Sequence, residues 1–194
     1  MDCIPKTLMS SDLAYKIVES YPYALSLIPD EFITYETCLV AARRGYLENI
    51  PFEHRTLELC TIAVPIRTIT TDNLMHVPDE ILTVEFLKNM IENHGPMLHA
   101  VPDALKTMEL CEISVYRFAH TFEFVPKPLR SRHICLTALR NNEYACKYRI
   151  QKVPLELLDE EMCLAAVTSA PGSLEFIPPH LRTDAVRKAA THRR

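Results

Sequence analysis

The chain has 194 residues, of which 48% are hydrophobic and 24% are charged, so it can bury a sizeable core and general disorder is excluded. Its three glycines lie far apart, which excludes a glycine-rich phosphate loop. No apolar run approaches the roughly 18 residues of a membrane span, and we find no secretion signal. Together with seven cysteines, this predicts free thiols in a reducing compartment and a cytoplasmic location.

The net charge of −4 is unevenly distributed along the chain. Residues 1–126 hold nine Lys/Arg against eighteen Asp/Glu, a net charge of −9, whereas residues 127–194 hold twelve against seven, a net charge of +5. This bipolarity raises two hypotheses. One is head-to-tail self-association of two copies, and the other is binding of a nucleic acid or an acidic lipid through the basic C-terminal part.

An Ile/Val-Pro pair recurs along the whole chain, with successive prolines 22 to 28 residues apart. Internal repetition with a period in the twenties is typical of a solenoid. One such repeat cannot bury its apolar face alone, so neighbouring repeats must stack. The eight repeat prolines are Pro5, Pro29, Pro51, Pro78, Pro102, Pro126, Pro154 and Pro178.

Each repeat predicts the same elements in the same order. Five residues after the proline stands Ser, Thr or Asp, and an acid follows two residues later in six copies, which is typical of a helix start. A helix of about ten residues follows, with a buried stripe 8, 9, 12 and 13 residues past the proline. A turn and a shorter second helix complete the repeat. We therefore predict an all-α fold, a single α-solenoid domain over residues 1–194, with about seven to eight two-helix repeats of about 24 residues and partial copies at both ends.

Five of the seven cysteines lie nine residues after a repeat proline: Cys38, Cys60, Cys111, Cys135 and Cys163. In two other repeats this position holds Ala14 and Leu87, which indicates a small apolar packing slot. Neither the histidines nor the carboxylates show the spacing of a metal site or a catalytic pair. We predict no metal, no cofactor and no enzyme. Cys146 lies outside the column in an irregular interval and leaves a thiol enzyme as an alternative.

Two intervals depart from the regular repeat. The interval 51–78 contains Pro65, which predicts a shortened helix. The interval 126–154 is the longest and interleaves cations with tyrosines, a mixture that suits an acidic partner surface or phosphate groups. The alternative is a longer helix whose tyrosines pack and whose cations are solvated. The candidate partner-binding residues are Arg140, Tyr144, Lys147, Tyr148, Arg149 and Lys152, with Arg43 and Arg44 as a weaker second patch.

The unit Ile/Val-Pro-x-x-Leu-x-Thr-x-Glu-x-Cys-x-x-Ala-Val, followed by x-Leu-Glu-Phe-Ile/Val-Pro, resembles a family of tandem helical repeats catalogued as a domain of unknown function. Members occur in bacterial and protist proteins, including some pathogen effectors. The similarity covers nearly the whole chain and is strongest at residues 107–125 and 161–182. It implies a helical-repeat fold and brings no catalytic residues. The predicted function is a non-enzymatic protein–protein interaction scaffold, and the resemblance implies an effector or regulator in a cytosol, that of a host if the protein is secreted.

Overall fold

The computed structural model describes residues 8–66, 74–141 and 147–191. Throughout these ranges the secondary structure is helical, with no β-strand, so the predicted all-α class is confirmed. The chain divides into two compact units, residues 1–90 and residues 91–194.

Every α-helix that follows a repeat proline begins six residues after it. Within the described ranges there are eight such helices: α1 Ser11–Ser20, α2 Tyr35–Arg43, α3 Leu57–Ala63, α4 Val84–His94, α5 Met108–Arg117, α6 Arg132–Arg140, α7 Glu160–Ser169 and α8 Asp184–Thr191.

The predicted N-caps are confirmed at all eight starts. In each, the side-chain oxygen of the cap residue accepts a hydrogen bond from the backbone N–H three residues later, at 2.9–3.3 Å. Such a bond satisfies one of the four N–H groups that a helix start leaves without an internal partner. The caps are Ser10, Thr34, Thr56, Thr83, Thr107, Ser131, Asp159 and Thr183.

Two helices end where a breaker follows, which confirms the shortened helix predicted from Pro65. Helix α3 stops at Ala63, two residues before Pro65, because proline lacks the N–H that the ladder would need. Helix α2 stops at Arg43, and Gly45 follows with a φ of 76°, a conformation that glycine adopts without steric cost. There the Tyr46 N–H donates to the Ala41 carbonyl at 3.0 Å and closes the last turn.

Within the described ranges, the shorter second element is a 3-10 helix before five of the repeat prolines, and another 3-10 turn lies directly after six of them, while the chain before Pro102 and after Pro78 forms turns instead. The residue before a proline is forced to be extended, so no α-helix can run through the junction, and only three to six residues remain on either side. Before the prolines lie Pro22–Leu27, Leu47–Asn49, Ala119–Phe124, Arg149–Lys152 and Pro171–Phe176. After them lie Asp30–Phe32, Phe52–His54, Asp103–Leu105, Lys127–Leu129, Leu155–Leu157 and Pro179–Leu181.

Consecutive α-helices pack against each other within each compact unit: α1 on α2 and α2 on α3 in the first, and α5 to α8 in order in the second. The buried stripe faces both neighbours. Leu13 and Ile17 of α1, eight and twelve residues after the proline, are only half-buried, while Ala14 beside them is fully buried. In α8 the pattern is reversed, since Val186 is buried and Arg187 is exposed. The residues that stand eight and twelve positions after a repeat proline therefore face the preceding repeat, and those nine and thirteen positions after it face the following repeat.

An arginine four residues after the proline clasps backbone carbonyls in three repeats. Its Nε donates to the residue before the proline and its Nη2 to the residue two positions earlier, at 2.7–3.4 Å. In two repeats Nη1 also reaches the turn of the following repeat, from Arg55 to the His76 carbonyl at 2.8 Å and from Arg130 to the Lys152 carbonyl at 2.6 Å. Arg182 makes the Nε and Nη2 bonds. These clasps fix the spacing of neighbouring turns.

Candidate partner-binding surface

The five column thiols lie inside the helix–helix interfaces. Cys38, Cys60, Cys111, Cys135 and Cys163 are each 0% exposed, as are Ala14 and Leu87 in the same column. Burial away from water raises the pKa of all five thiols to about 11, because the thiolate would lose its hydration. A thiol that keeps its proton is a poor nucleophile. The column therefore supplies packing, in line with its interpretation from the sequence.

We expect these thiols to resist alkylation in the native protein. With iodoacetamide at pH 7.5, peptides that carry Cys111 or Cys163 should stay unmodified over the time in which a free cysteine reacts completely, and they should react at once in urea. Peptide mass spectrometry of both samples provides the measurement. Fast native labelling of Cys111, with an unchanged circular dichroism spectrum, would contradict the packing role.

Arg140 belongs to an ion-pair ladder that joins α6 to α7. Its guanidinium, on a side chain that is 61% exposed, donates to one carboxylate oxygen of Glu161, and Arg132 donates to the other at 2.6 Å. Arg132 also binds the carboxylate of the cap residue Asp159 at 2.6 Å. A backbone bond from Met162 together with Arg132 lowers the pKa of Asp159. Arg140 thus lies at the surface but is already engaged within the chain.

Lys147 and Tyr148 sit beside the next turn of the same compact unit. The Lys147 ammonium pairs with Glu175 at 2.7 Å and lies over the rings of Tyr148 and Phe176, with centroids 5.1 and 5.6 Å away. The two rings themselves are 5.0 Å apart. Tyr148 nevertheless remains 51% exposed. This aromatic pair is held in place by its neighbours while it still presents a face to solvent.

Arg149 is part of the core, which corrects the prediction that it contacts a partner. Its side chain is only 7% exposed, and Nη1 donates to the carbonyls of Ala138 at 2.6 Å and Asn141 at 3.2 Å, at the end of α6. Counting backwards from the repeat prolines reveals the signal that was missed. Arg149 stands five residues before Pro154, in a column whose other members include the buried Ala24, Met97, Thr121 and Ser173.

Lys152 is exposed and lines a groove of the second compact unit. This groove, of about 700 Å³, lies between the turns Lys127–Leu129 and Leu155–Leu157, and its lining includes Lys127, Arg130, Lys152, Leu155 and Glu156. Sequence reasoning missed Lys127 and Arg130 because they precede the irregular stretch. An adjoining cavity of about 260 Å³ shares Lys152 and is lined by His120, Phe122 and Tyr148, among others.

The remaining predicted residues lie elsewhere. Arg43 and Arg44 are exposed at the end of α2, in the first compact unit. Tyr144 and Cys146 lie outside the described residues. Across residues 8–66, 74–141 and 147–191 there is no group of three or more His, Cys, Asp or Glu side chains that could hold a metal ion. Over the same residues, no helix has the length and apolar character needed to cross a membrane.

Comparisons of this chain with protein-family models, with curated proteins and with solved structures give no match. The resemblance to a tandem helical-repeat family therefore stays a prediction, and the candidate surface rests on its own geometry.

Proposed function

We propose that this chain is a non-enzymatic protein–protein interaction scaffold, built as an α-solenoid of short repeats. The observation that carries the proposal is the assignment of every column thiol to packing, while the irregular interval holds exposed aromatic and cationic side chains. Interaction surfaces are enriched in such aromatic and Arg side chains, and repeat arrays place binding residues where the pattern departs from the rule. An effector or regulator acting in a cytosol is the context that the resemblance implies.

Tyr148 is the best anchor for a partner among the residues of the irregular interval. It is half-exposed, it is already ordered against Phe176, and it lines the cavity next to the groove. A pre-ordered aromatic ring loses little conformational entropy when a partner covers it. Lys147 above the ring and Lys152 beside it supply charge for an acidic partner.

The test is affinity capture with a matched tyrosine control. A tagged chain should retain a protein at constant stoichiometry after nuclease and detergent treatment. Tyr148→Ala should weaken the purified complex about tenfold or more, and Tyr116→Ala, at an exposed tyrosine on α5, should leave the affinity within twofold. Equal affinity of the wild type and Tyr148→Ala would contradict this surface, and recovery of nucleic acid alone would contradict a protein scaffold.

Binding to a nucleic acid or an acidic lipid through residues 127–194 is the second candidate, supported by the exposed lysines Lys127 and Lys152. Neutralisation of several phosphates makes affinity fall steeply with salt. A salt titration from 50 to 200 mM therefore separates the two proposals. A protein complex anchored by Tyr148 should lose little affinity over this range, whereas a phosphate-bound complex should lose a factor of roughly 10³ for about six contacts.

A further inference from the structure

We propose that the groove between the turns Lys127–Leu129 and Leu155–Leu157 binds a short, extended, acidic segment of a partner protein. This inference rests on the proposed scaffold function and adds the site and the chemistry of the bound segment. Four observations carry it: the lining of the groove, the charges of equivalent positions in other repeats, a fixed backbone and a neighbouring apolar cavity.

Among the described residues, the groove is lined by three cations and one acid. Lys127 and Lys152 are exposed, Arg130 also lines the groove, and the acid is Glu156. Its volume of about 700 Å³ suits a few residues of extended chain. Pro128 and Pro154 form part of its wall, and neither carries a backbone N–H that a bound peptide would have to match.

Several equivalent positions in other repeats carry an acid or an aromatic ring, although Lys6 also stands directly after a repeat proline. One residue after the proline, Lys127 replaces the aspartates found in three other repeats, and three residues before the proline, Gln151 replaces glutamates. Two residues before the proline, Lys152 replaces phenylalanines. Compared with the preceding junction, where these positions hold Asp103, Glu123 and Phe124, this place has lost two acids and gained two lysines. The equivalent residues are Asp30, Asp79 and Asp103, then Glu48, Glu123 and Glu175, and last Phe124 and Phe176.

The backbone beneath these lysines is held rigidly. Arg130 bridges the two turns, because Nε binds the Val125 carbonyl at 3.0 Å and Nη1 binds the Lys152 carbonyl at 2.6 Å. The Arg130 guanidinium also lies over the Phe122 ring, 5.3 Å from its centroid. The groove is therefore present before any ligand binds, and a peptide does not have to supply the free energy of ordering it.

Apolar surface next to the cations favours a peptide over a phosphate chain. Leu155 is 77% exposed at the groove, and the adjoining cavity is lined by Phe122 and Tyr148. Glu156 in the groove and Glu123 in the adjoining cavity would repel a ligand with a charge at every step. A peptide can place acids opposite Lys127 and Lys152 and apolar side chains elsewhere, which a nucleic acid or an anionic vesicle cannot do.

The probe is a fluorescein-labelled twelve-residue peptide in which glutamates alternate with leucine and proline. Fluorescence polarisation at 150 mM salt gives its affinity for the wild type and three variants. We expect Lys127→Asp and Lys152→Phe each to weaken binding about tenfold, since one groove charge is reversed or removed. Both variants install residues that sister repeats already carry, so folding should be preserved. Lys16→Asp, an exposed lysine on α1, is the charge-matched control and should stay within twofold of the wild type.

Two further ligands decide between sources of negative charge. A twelve-nucleotide oligo-dT and vesicles with 30% phosphatidylserine should both bind more weakly than the peptide. Tighter binding of either one would overturn the inference, as would equal loss of peptide affinity in Lys16→Asp. If the wild type fails to bind the peptide yet captures a protein through Tyr148, the groove inference is wrong while the scaffold proposal stands. If no protein is captured but the peptide binds through Lys127, the scaffold proposal is wrong while the acidic-peptide site in the groove stands.

Discussion

Arg149→Ala is expected to lower the free energy of unfolding by about 3 kcal/mol. The guanidinium is almost fully buried and donates to two carbonyls at the end of α6. Truncation would leave the Ala138 and Asn141 carbonyls without this donor and would open a cavity in the core of the second compact unit. The penalty therefore combines lost charge-assisted hydrogen bonds with lost packing.

Two variants separate these contributions in urea unfolding followed by circular dichroism. Arg149→Met matches Met97, which fills the same column, so it keeps the volume and should cost about half as much. Arg140→Ala removes an arginine from the exposed ladder and should cost less than about 1 kcal/mol. A loss below about 1 kcal/mol for Arg149→Ala would show that Arg149 is not a framework residue and would return it to the candidate surface.

The native protein is also expected to lose several kcal/mol of stability between pH 9 and pH 11. Burial raises the pKa of the five column thiols to about 11, above their ordinary value of 9.0. Unfolded chains therefore release protons at a lower pH than folded ones, and rising pH favours unfolding. Between the two pKa values, each thiol lowers the free energy of unfolding by about 1.4 kcal/mol per pH unit. Below pH 9 this stabilisation is fully present.

The slope can be assigned by removing one thiol at a time. Cys111→Ala places at this position the residue that the first repeat has as Ala14. At pH 8 its free energy of unfolding should be only modestly lower than that of the wild type, and the fall of this free energy with pH should be about one fifth less steep. Urea midpoints at half-unit steps from pH 8 to pH 10.5 provide the data. An unchanged slope in Cys111→Ala would mean that this thiol titrates normally in the folded protein, which its complete burial does not allow.

The helix starts were predictable because their causes are local. A cap residue at a fixed distance after a proline determines each start, with an acid two residues later in six copies, and all eight caps bind as expected. The thiol column was predictable for the same reason, since Ala14 and Leu87 show what its position tolerates. The second element was predicted as a short helix, but its 3-10 geometry follows from how little chain remains before each proline.

The arginine clasps and the role of Arg149 were harder to predict because their acceptors are backbone carbonyls, which leave no mark in the residue pattern. Arg130 reaches the Lys152 carbonyl across 22 positions, and only the packed turns bring the two together. Arg149 was misassigned because it was grouped with the neighbouring cations and tyrosines of the irregular interval, although it stands five residues before Pro154 in a buried column. The groove had a signal in the sequence, since Lys127 stands where three other repeats carry aspartate, but that signal gains meaning only beside Lys152.

The most direct test of the groove as the binding site of the proposed scaffold compares two variants on one purified protein partner. Dissociation constants measured by calorimetry should rise about tenfold for Lys127→Asp and stay within twofold of the wild type for Cys111→Ala. This result would place function in the groove and packing in the thiol column. A tenfold loss in Cys111→Ala, with native stability and no effect of Lys127→Asp, would contradict it.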